Sequence, residues 1–235
     1  MAIKGIAFDL EGTIIDVERL HFEAFLLVAA GVGVFFDRDH MMEDFALKIP
    51  RAIGGGEALI SEGISRLAGG RVSAAEIRHR KVALYHEKLR ELPSIEPRPG
   101  FLKVFEEIRR LGLRVAIASL TTPDQAEILL ERSGIGKLFP KNCTLLEGSV
   151  KNLKPAPDVY LEAARRMGVL PPKQLVFEDS KTGLMAARAA GSPVIAMPIY
   201  TFPENIRELR EAGAVKIVFS WEEVNIVQIL QELNN

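Results

Sequence analysis

Short apolar runs alternate along this chain with longer segments in which apolar residues recur every three or four positions. The runs Ile3–Asp9, Leu113–Ser119, Asn142–Leu146, Gln174–Glu178, Pro193–Met197 and Val215–Ser220 have the length of strands. They lack a consistently polar alternate face, as strands covered on both sides do. Helical spacing fills most of the intervals, over Gly100–Leu111, Asp124–Ser133, Pro157–Met167, Lys181–Ala190 and Pro203–Ala212. The last segment, Trp221–Leu233, carries Ile226, Val227, Leu230 and Leu233 at helical spacing, with Val224 and Ile229 widening the apolar face. Strand and helix in alternation predict an α/β protein built on a parallel sheet with crossover helices.

One interval breaks this rhythm. From Val17 to Glu96 no strand pattern stands out, and helical patterns cover Val17–Val32, Arg38–Leu47, Glu57–Ala68 and Ser73–Leu92. Gly31, Pro50, Gly54-Gly55-Gly56 and Gly69-Gly70 punctuate them. The stretch "PSIEPRPG" then returns the chain to alternation. The expected organisation is an α/β core from residues 1–16 and 97–235, with an all-helical cap, residues 17–96, inserted after the first strand. Within the cap, "EIRHRKVALYHEKLRE" is expected to form a helix with a charged, solvated face. The triple glycine lacks the Lys-Ser/Thr of a phosphate loop and is expected to be a cap turn.

Reactive groups gather at the predicted strand ends. The first strand runs into Asp9 and Glu11, the second into Ser119, Thr121 and Thr122, and the fourth into Glu178 and Asp179; Lys154 follows the third. Open parallel sheets bind ligands beyond the carboxyl ends of their strands, where these segments can converge. Acids in a buried setting are costly unless paired, hydrogen-bonded or holding a cation. Two acidic loops, a hydroxyl and an ammonium suit phosphoryl transfer. A strand-end Asp can attack phosphorus, and a second carboxylate can move protons. Carboxylates can hold Mg²⁺, while hydroxyl and ammonium stabilise phosphoryl oxygens. Each residue also has a plainer role open to it. Asp179 and Ser180 suit helix N-caps, and Ser119 could simply end a strand. His40, His79 and His86 have no companion at a metal-ligand spacing.

Composition narrows the partners. The chain has 235 residues, is 48% hydrophobic and 26% charged, and carries a formal net charge of -1. That length supports a full core, and the balance of charge gives no global field for nucleic acid or a membrane surface. A single cysteine, Cys143, allows no internal disulfide and suits a reducing compartment. The opening run is broken by Asp9 and does not read as a signal peptide. The expected setting is cytoplasmic, with no nucleic-acid or membrane partner.

The motifs resemble those of the haloacid dehalogenase superfamily. "DLEGT" is similar to its first motif, normally Asp-x-Asp-Gly-Thr; "IAS", "KPAPD" and "FEDSKTG" are similar to the second, third and fourth. "KPAPD" and "EDS" look most like the branch of β-phosphoglucomutase and small-phosphate phosphatases. The resemblance implies a Rossmann-like sheet ordered fifth, fourth, first, second, third strand, and a helical cap that sets specificity. It implies Asp9 as nucleophile, Glu11 as general acid/base with its main-chain carbonyl on Mg²⁺, and Ser119 and Lys154 on the phosphoryl group. Asp9, Glu178 and Asp179 would support the metal; His21, Arg51 and Thr122 would touch substrate. The implied activity is a Mg²⁺-dependent phosphatase for a small phosphorylated metabolite, acting through an aspartyl-phosphate. A phosphomutase is the nearest alternative, with a 2-haloacid dehalogenase and a non-catalytic phospho-ligand sensor behind it. Glu11 stands where the family's phosphatases usually carry Asp, and its extra methylene moves the carboxylate by about 1.5 Å.

Overall fold

The computed structural model describes residues 2–52 and 56–234. In chain order the elements are β1 (Gly5–Phe8), α1 (Glu18–Gly31), α2 (Met41–Lys48), α3 (Glu57–Leu67), α4 (Ala74–Glu91), α5 (Phe101–Arg110), β2 (Arg114–Ala118) and α6 (Pro123–Arg132). They continue as β3 (Thr144–Leu145), α7 (Asp158–Met167), β4 (Gln174–Glu178), α8 (Lys181–Ala189), β5 (Val194–Ala196), α9 (Pro203–Glu211), β6 (Lys216–Ile217) and α10 (Ile226–Asn234). Among the described residues no helix is long and apolar enough to cross a membrane. The chain divides into two compact units, Met1–Asp16 with Ser94–Asn235, and Val17–Pro93.

The first unit is an α/β core. Its six strands are parallel and ordered β3-β2-β1-β4-β5-β6. Taken from the other edge, this is the expected order with β6 added outside β5. The pleat of β1 explains its buried composition. Phe8 faces an aromatic layer, stacking on Phe177 at 5.6 Å and meeting Phe101, Phe139 and Trp221 at 5.8 Å each. Ala7 faces the other way, in one apolar cluster with Ala116, Ala118 and Val176 under Val159, Tyr160 and Ala163 of α7. A Cβ on Gly5 would lie 3.1 Å from the Met167 sulfur, so small residues in β1 are what let α7 come close. Both faces of the sheet are therefore covered, which is why its strands show no polar alternation.

The second unit is helical, α1 to α4 around a cluster that includes Phe25, Val28, Phe45, Ile49, Ile60, Ile64 and Ile77. A Cβ on Gly63 would strike Ile49 at 2.5 Å, so α3 needs glycine there to seat against the segment after α2. The solvated face expected of α4 needs one correction. Lys81 is fully buried and pairs with Glu57, lies 2.5 Å from His21 Nδ1, and sits over the rings of Phe25 and Tyr85. Of the expected glycine turn, residues 54 and 55 lie outside the described residues.

Among the boundaries that differ from the sequence pattern, β6 being only Lys216–Ile217, three have a clear local reason. α2 starts at Met41 instead of Arg38, because Asp37 accepts the N–H groups of Asp39 and His40 in a turn. The C-terminal helix starts at Ile226, not Trp221. Ser220 caps a short 3₁₀ turn at 221–223, and the Asn225 side chain then accepts the Gln228 N–H. The third strand is only Thr144–Leu145, since residues 141–143 form another 3₁₀ turn.

Candidate active site

The reactive groups converge within the α/β core. β1 pairs with β4 so that Phe8 is level with Phe177, and the Asp9 N–H donates to the Phe177 carbonyl at 3.0 Å. Asp9 and Glu178 are thus neighbours at adjacent strand ends. On the other side Phe8 is level with Ile117, which brings Ser119 to the same edge of the sheet, one position further along. After Asp9 the chain turns tightly: Ile14 and Ile15 N–H groups both return to the Leu10 carbonyl, and Gly12 N–H donates to the Ile15 carbonyl at 2.7 Å.

Gly12 is required at this turn twice over. Its φ of +81° lies in the left-handed region, and a Cβ there would be 2.3 Å from Asp179 Oδ2. Asp179 is in this way seated directly against the turn that carries Glu11. The Thr13 hydroxyl donates to Asp179 Oδ1 at 3.2 Å and fixes its orientation.

Lys154 joins the acids. Its ammonium donates to Asp9 Oδ1 at 2.6 Å and to Glu178 Oε1 at 2.5 Å. Asp9 is 7% exposed and Glu178 fully buried. Burial pushes the Asp9 carboxyl up to about 7; Lys154 opposes the shift, while the Glu178 and Glu11 charges add to it. For Lys154 the balance is reversed. Burial works against its charge, but the carboxylates of Asp9 and Glu178 overcome it and hold the ammonium above the ordinary lysine range.

Glu178 is the most densely bonded of these acids. Its Oε1 also accepts the Tyr160 hydroxyl at 2.9 Å, and its Oε2 accepts the Ser180 N–H and hydroxyl at 3.0 and 2.9 Å. A carboxylate has about four acceptor sites. Four donors meet them: the Lys154 ammonium, the Tyr160 hydroxyl, and the N–H and hydroxyl of Ser180. Tyr160 is hidden from sequence reasoning: on α7 it sits at core spacing with Val159, Ala163 and Met167, and only its hydroxyl marks it out. Its phenol is kept protonated well above the usual range, by burial first and then by the charges of Glu178 and Asp9.

Gly183, in the first turn of α8, closes the back of this arrangement. A Cβ there would lie 1.7 Å from Glu178 Oε1. The carboxylate has nowhere to retreat without releasing its donors. Gly183→Ala is therefore expected to lower stability by about 1–3 kcal/mol through overpacking. It should also cut turnover at least tenfold, because a displaced Glu178 shifts Lys154 and with it Asp9. Denaturant titration and steady-state rates on the purified variant measure both.

The remaining expected residues divide by location. Ser119 is buried at the end of β2, its hydroxyl 2.8 Å from that of Thr121. Thr122 serves the local fold as the N-cap of α6, in a reciprocal capping box with Gln125. Its hydroxyl oxygen accepts the Gln125 N–H there, at 3.4 Å. His21 and Arg51 belong to the helical unit. His21 stacks on Tyr85 at 3.9 Å and is held by Lys81, while Arg51 adopts a positive φ of 66°.

A divalent cation fits the donor set of the core. The groups at the β1 and β4 ends are all oxygens: the carboxylates of Asp9 and Asp179 and the Glu11 carbonyl. Among the described residues no cluster of three or more His, Cys, Asp or Glu side chains could hold a metal ion. Two carboxylates and a carbonyl are a sparse set, which suits Mg²⁺, an ion that retains several waters and takes few protein ligands. The close seat of Asp179 against Gly12 keeps the second carboxylate at the turn.

Known proteins agree with this reading of the fold. Residues 3–191 match the family model described as haloacid dehalogenase-like hydrolase. A protein of Thermotoga maritima named phosphorylated carbohydrates phosphatase is 29% identical, over 96% of this chain and 99% of that protein. Fructose-1-phosphate phosphatase YqaB of Escherichia coli is 32% identical, over 81% of this chain and 94% of its own length. The solved structure of CbbY from Rhodobacter sphaeroides in complex with phosphate superposes with a TM-score of 0.67 at 28% identity, covering 95% of this chain and 96% of that one. With a family model spanning most of its length and a strand-end Asp–Lys–Glu cluster in the matching fold, this chain belongs to the haloacid dehalogenase-like hydrolases.

Proposed function

We propose that this protein is a Mg²⁺-dependent phosphatase of small phosphorylated sugars that works through an aspartyl-phosphate on Asp9. The observation that supports this most directly is the buried Lys154 ammonium bridging Asp9 and Glu178 at the carboxyl edge of the sheet. The names of the relatives, a phosphorylated carbohydrates phosphatase and a fructose-1-phosphate phosphatase, support the substrate class.

In this reading Asp9, Asp179 and the Glu11 carbonyl hold the cation. When bound, Mg²⁺ supplies charge against the phosphoryl oxygens and favours the ionised form of Asp9. Lys154 keeps the Asp9 carboxylate, which attacks phosphorus, oriented through Oδ1. Its ammonium, with the Ser119 hydroxyl, faces the charge of the transferring group. Glu11 protonates the leaving oxygen and then takes a proton from the water that attacks phosphorus, breaking the P–O bond of the aspartyl-phosphate and returning the Asp9 carboxylate.

A panel of phosphorylated sugars assayed with Mg²⁺, and again with chelator, tests the proposal. Chelator-sensitive release of phosphate supports it, and no turnover across the panel sinks it. Product analysis with and without a sugar bisphosphate primer separates hydrolysis from the mutase alternative. Glu11→Gln is expected to reduce turnover by about 10²–10⁴-fold, the range for loss of a general acid/base. Glu11→Asp should retain activity or raise it, because it restores the shorter acid usual at this place. A Gln variant with unimpaired kcat would remove Glu11 from proton transfer.

A further inference from the structure

The chain leaves the α/β core at Asp16 and re-enters it at Ser94. Four residues into the return stands Arg98, whose N–H donates to the Ile14 carbonyl at 2.7 Å. The outgoing and returning segments are thus tied to each other. Its guanidinium reaches further: one nitrogen donates to the Gly12 carbonyl at 2.7 Å and the Met197 carbonyl at 3.0 Å, the other to the Phe219 carbonyl at 2.9 Å. These carbonyls follow β1, β5 and β6 respectively. Arg98 therefore clamps three loops at the edge of the sheet that carries Asp9, with a side chain whose charge also lies in the field of Asp16 and Asp179.

We infer that Arg98 is a positioning residue: by holding the Gly12 carbonyl it sets the direction in which Glu11 presents its own carbonyl and side chain beside Asp9. The inference rests on the proposed role of Glu11. Gly12 is flanked by two peptide planes, and glycine is the residue least able to hold either of them by itself. The plane before it is anchored where Gly12 N–H meets the Ile15 carbonyl. A planar trans peptide points its C=O opposite its N–H, so this bond aims the Glu11 carbonyl. The plane after it is anchored by Arg98. Beyond that plane Trp221 Nε1 holds the Thr13 carbonyl at 3.0 Å, and the Thr13 hydroxyl holds Asp179. Without Arg98 the Gly12–Thr13 plane is free to rotate, and the turn that presents Glu11 is then held on its Gly12 side by the Gly12 N–H to Ile15 carbonyl bond alone.

A planar fork with several donors can serve three carbonyls at once, and a single ammonium cannot do so with the same geometry. Charge alone therefore does not replace it. Arg98→Lys and Arg98→Gln are compared with the wild-type protein in two assays. Steady-state kinetics on a phosphorylated sugar with Mg²⁺ should show kcat lowered by about 10–100-fold, the scale for misplacement near 1 Å, with KM for the ester little changed. Mn²⁺ binding without substrate, read by electron paramagnetic resonance, should weaken by roughly tenfold, as when outer partners of metal ligands are lost. Impairment of both variants supports the inference. Wild-type Mn²⁺ affinity and wild-type kcat per folded molecule in either variant overturn it, whatever the melting temperature. Arg98→Lys keeps stem and charge and decides the matter if the glutamine variant does not fold. Should the wild-type protein hydrolyse no phosphate ester, the phosphatase reading fails, and the Mn²⁺ comparison still decides the role of Arg98.

Discussion

Asp9→Asn is expected to lose at least about 10³-fold in turnover, since an amide cannot form the covalent intermediate, and yet to melt no earlier than the parent at pH 8. The two halves of this result have one cause. The Asp9 carboxyl is raised from 3.8 to about 7 by burial, with Lys154 only partly opposing the shift. Between those values the folded protein holds a proton that the unfolded chain releases, so stability falls as pH rises through the window. This is opposite to the usual salt-bridged carboxylate, whose contribution is lost on acidification. Asparagine carries no charge to desolvate, and its amide oxygen can still accept from Lys154. Thermal unfolding at pH 5 and pH 8, beside phosphate release, measures both halves. A variant that melts many degrees earlier at pH 8 would show that Asp9 is net stabilising and that its strained ionisation is not built into the site. The same shift predicts that, at limiting Mg²⁺, kcat/KM rises with pH through about 7, and that more Mg²⁺ moves the rise to lower pH, because the cation favours the carboxylate.

Lys154→Met should be the most damaging single change to stability. Lys154 is the cation shared by two buried carboxylates, and Glu178 is fully buried. Removing one partner of a buried ion pair typically costs about 3–5 kcal/mol, because the remaining charge is left in low dielectric. Methionine fills the volume of the stem, so the loss is electrostatic and does not come from a cavity. The deficit should be largest above pH 7 and narrow on acidification, as Asp9 takes up its proton. Turnover should fall by about 10²-fold or more with loss of a donor to the developing charge. Urea unfolding at pH 6 and pH 8 reads the first effect. An equal deficit at both values would mean that the lysine acts by packing.

Much of the fold and of the site is legible in the residues alone. A chain whose strands are covered on both faces advertises them as unbroken apolar runs, and the polar residue that ends such a run stands out, as Asp9, Ser119 and Glu178 do. Proximity in sequence carries the rest of each motif. What stays hidden are side chains whose partners are remote along the chain. Lys81 lies in a helix segment dense with charge, and nothing local separates it from solvated neighbours; its partners Glu57 and His21 come from other helices. Tyr160 reads as core because most of its surface is core. Arg98 sits in a proline-rich return, where its guanidinium meets carbonyls of three separate loops. Backbone acceptors have no sequence signature, so an arginine that binds them leaves none. Thr122 is a hydroxyl near a motif that also has a local duty, capping α6.

The central place of β1 bears on how the molecule is made. Gly5 pairs with Arg114 on one side and with Gln174 on the other, so the first strand synthesised waits for half the chain to gain one neighbour and for about three quarters of it to gain the second. Closing such long loops is slow, and parallel sheets lose that entropy before any contact returns it. The helical unit has no such delay, since α1 to α4 are contiguous in the chain and can pack as soon as Glu91 has emerged. During synthesis the nascent chain would thus carry a folded helical insert on an apolar N-terminal strand that is unpaired until β2 arrives and keeps one open edge until β4 does, the segment most exposed to chaperones.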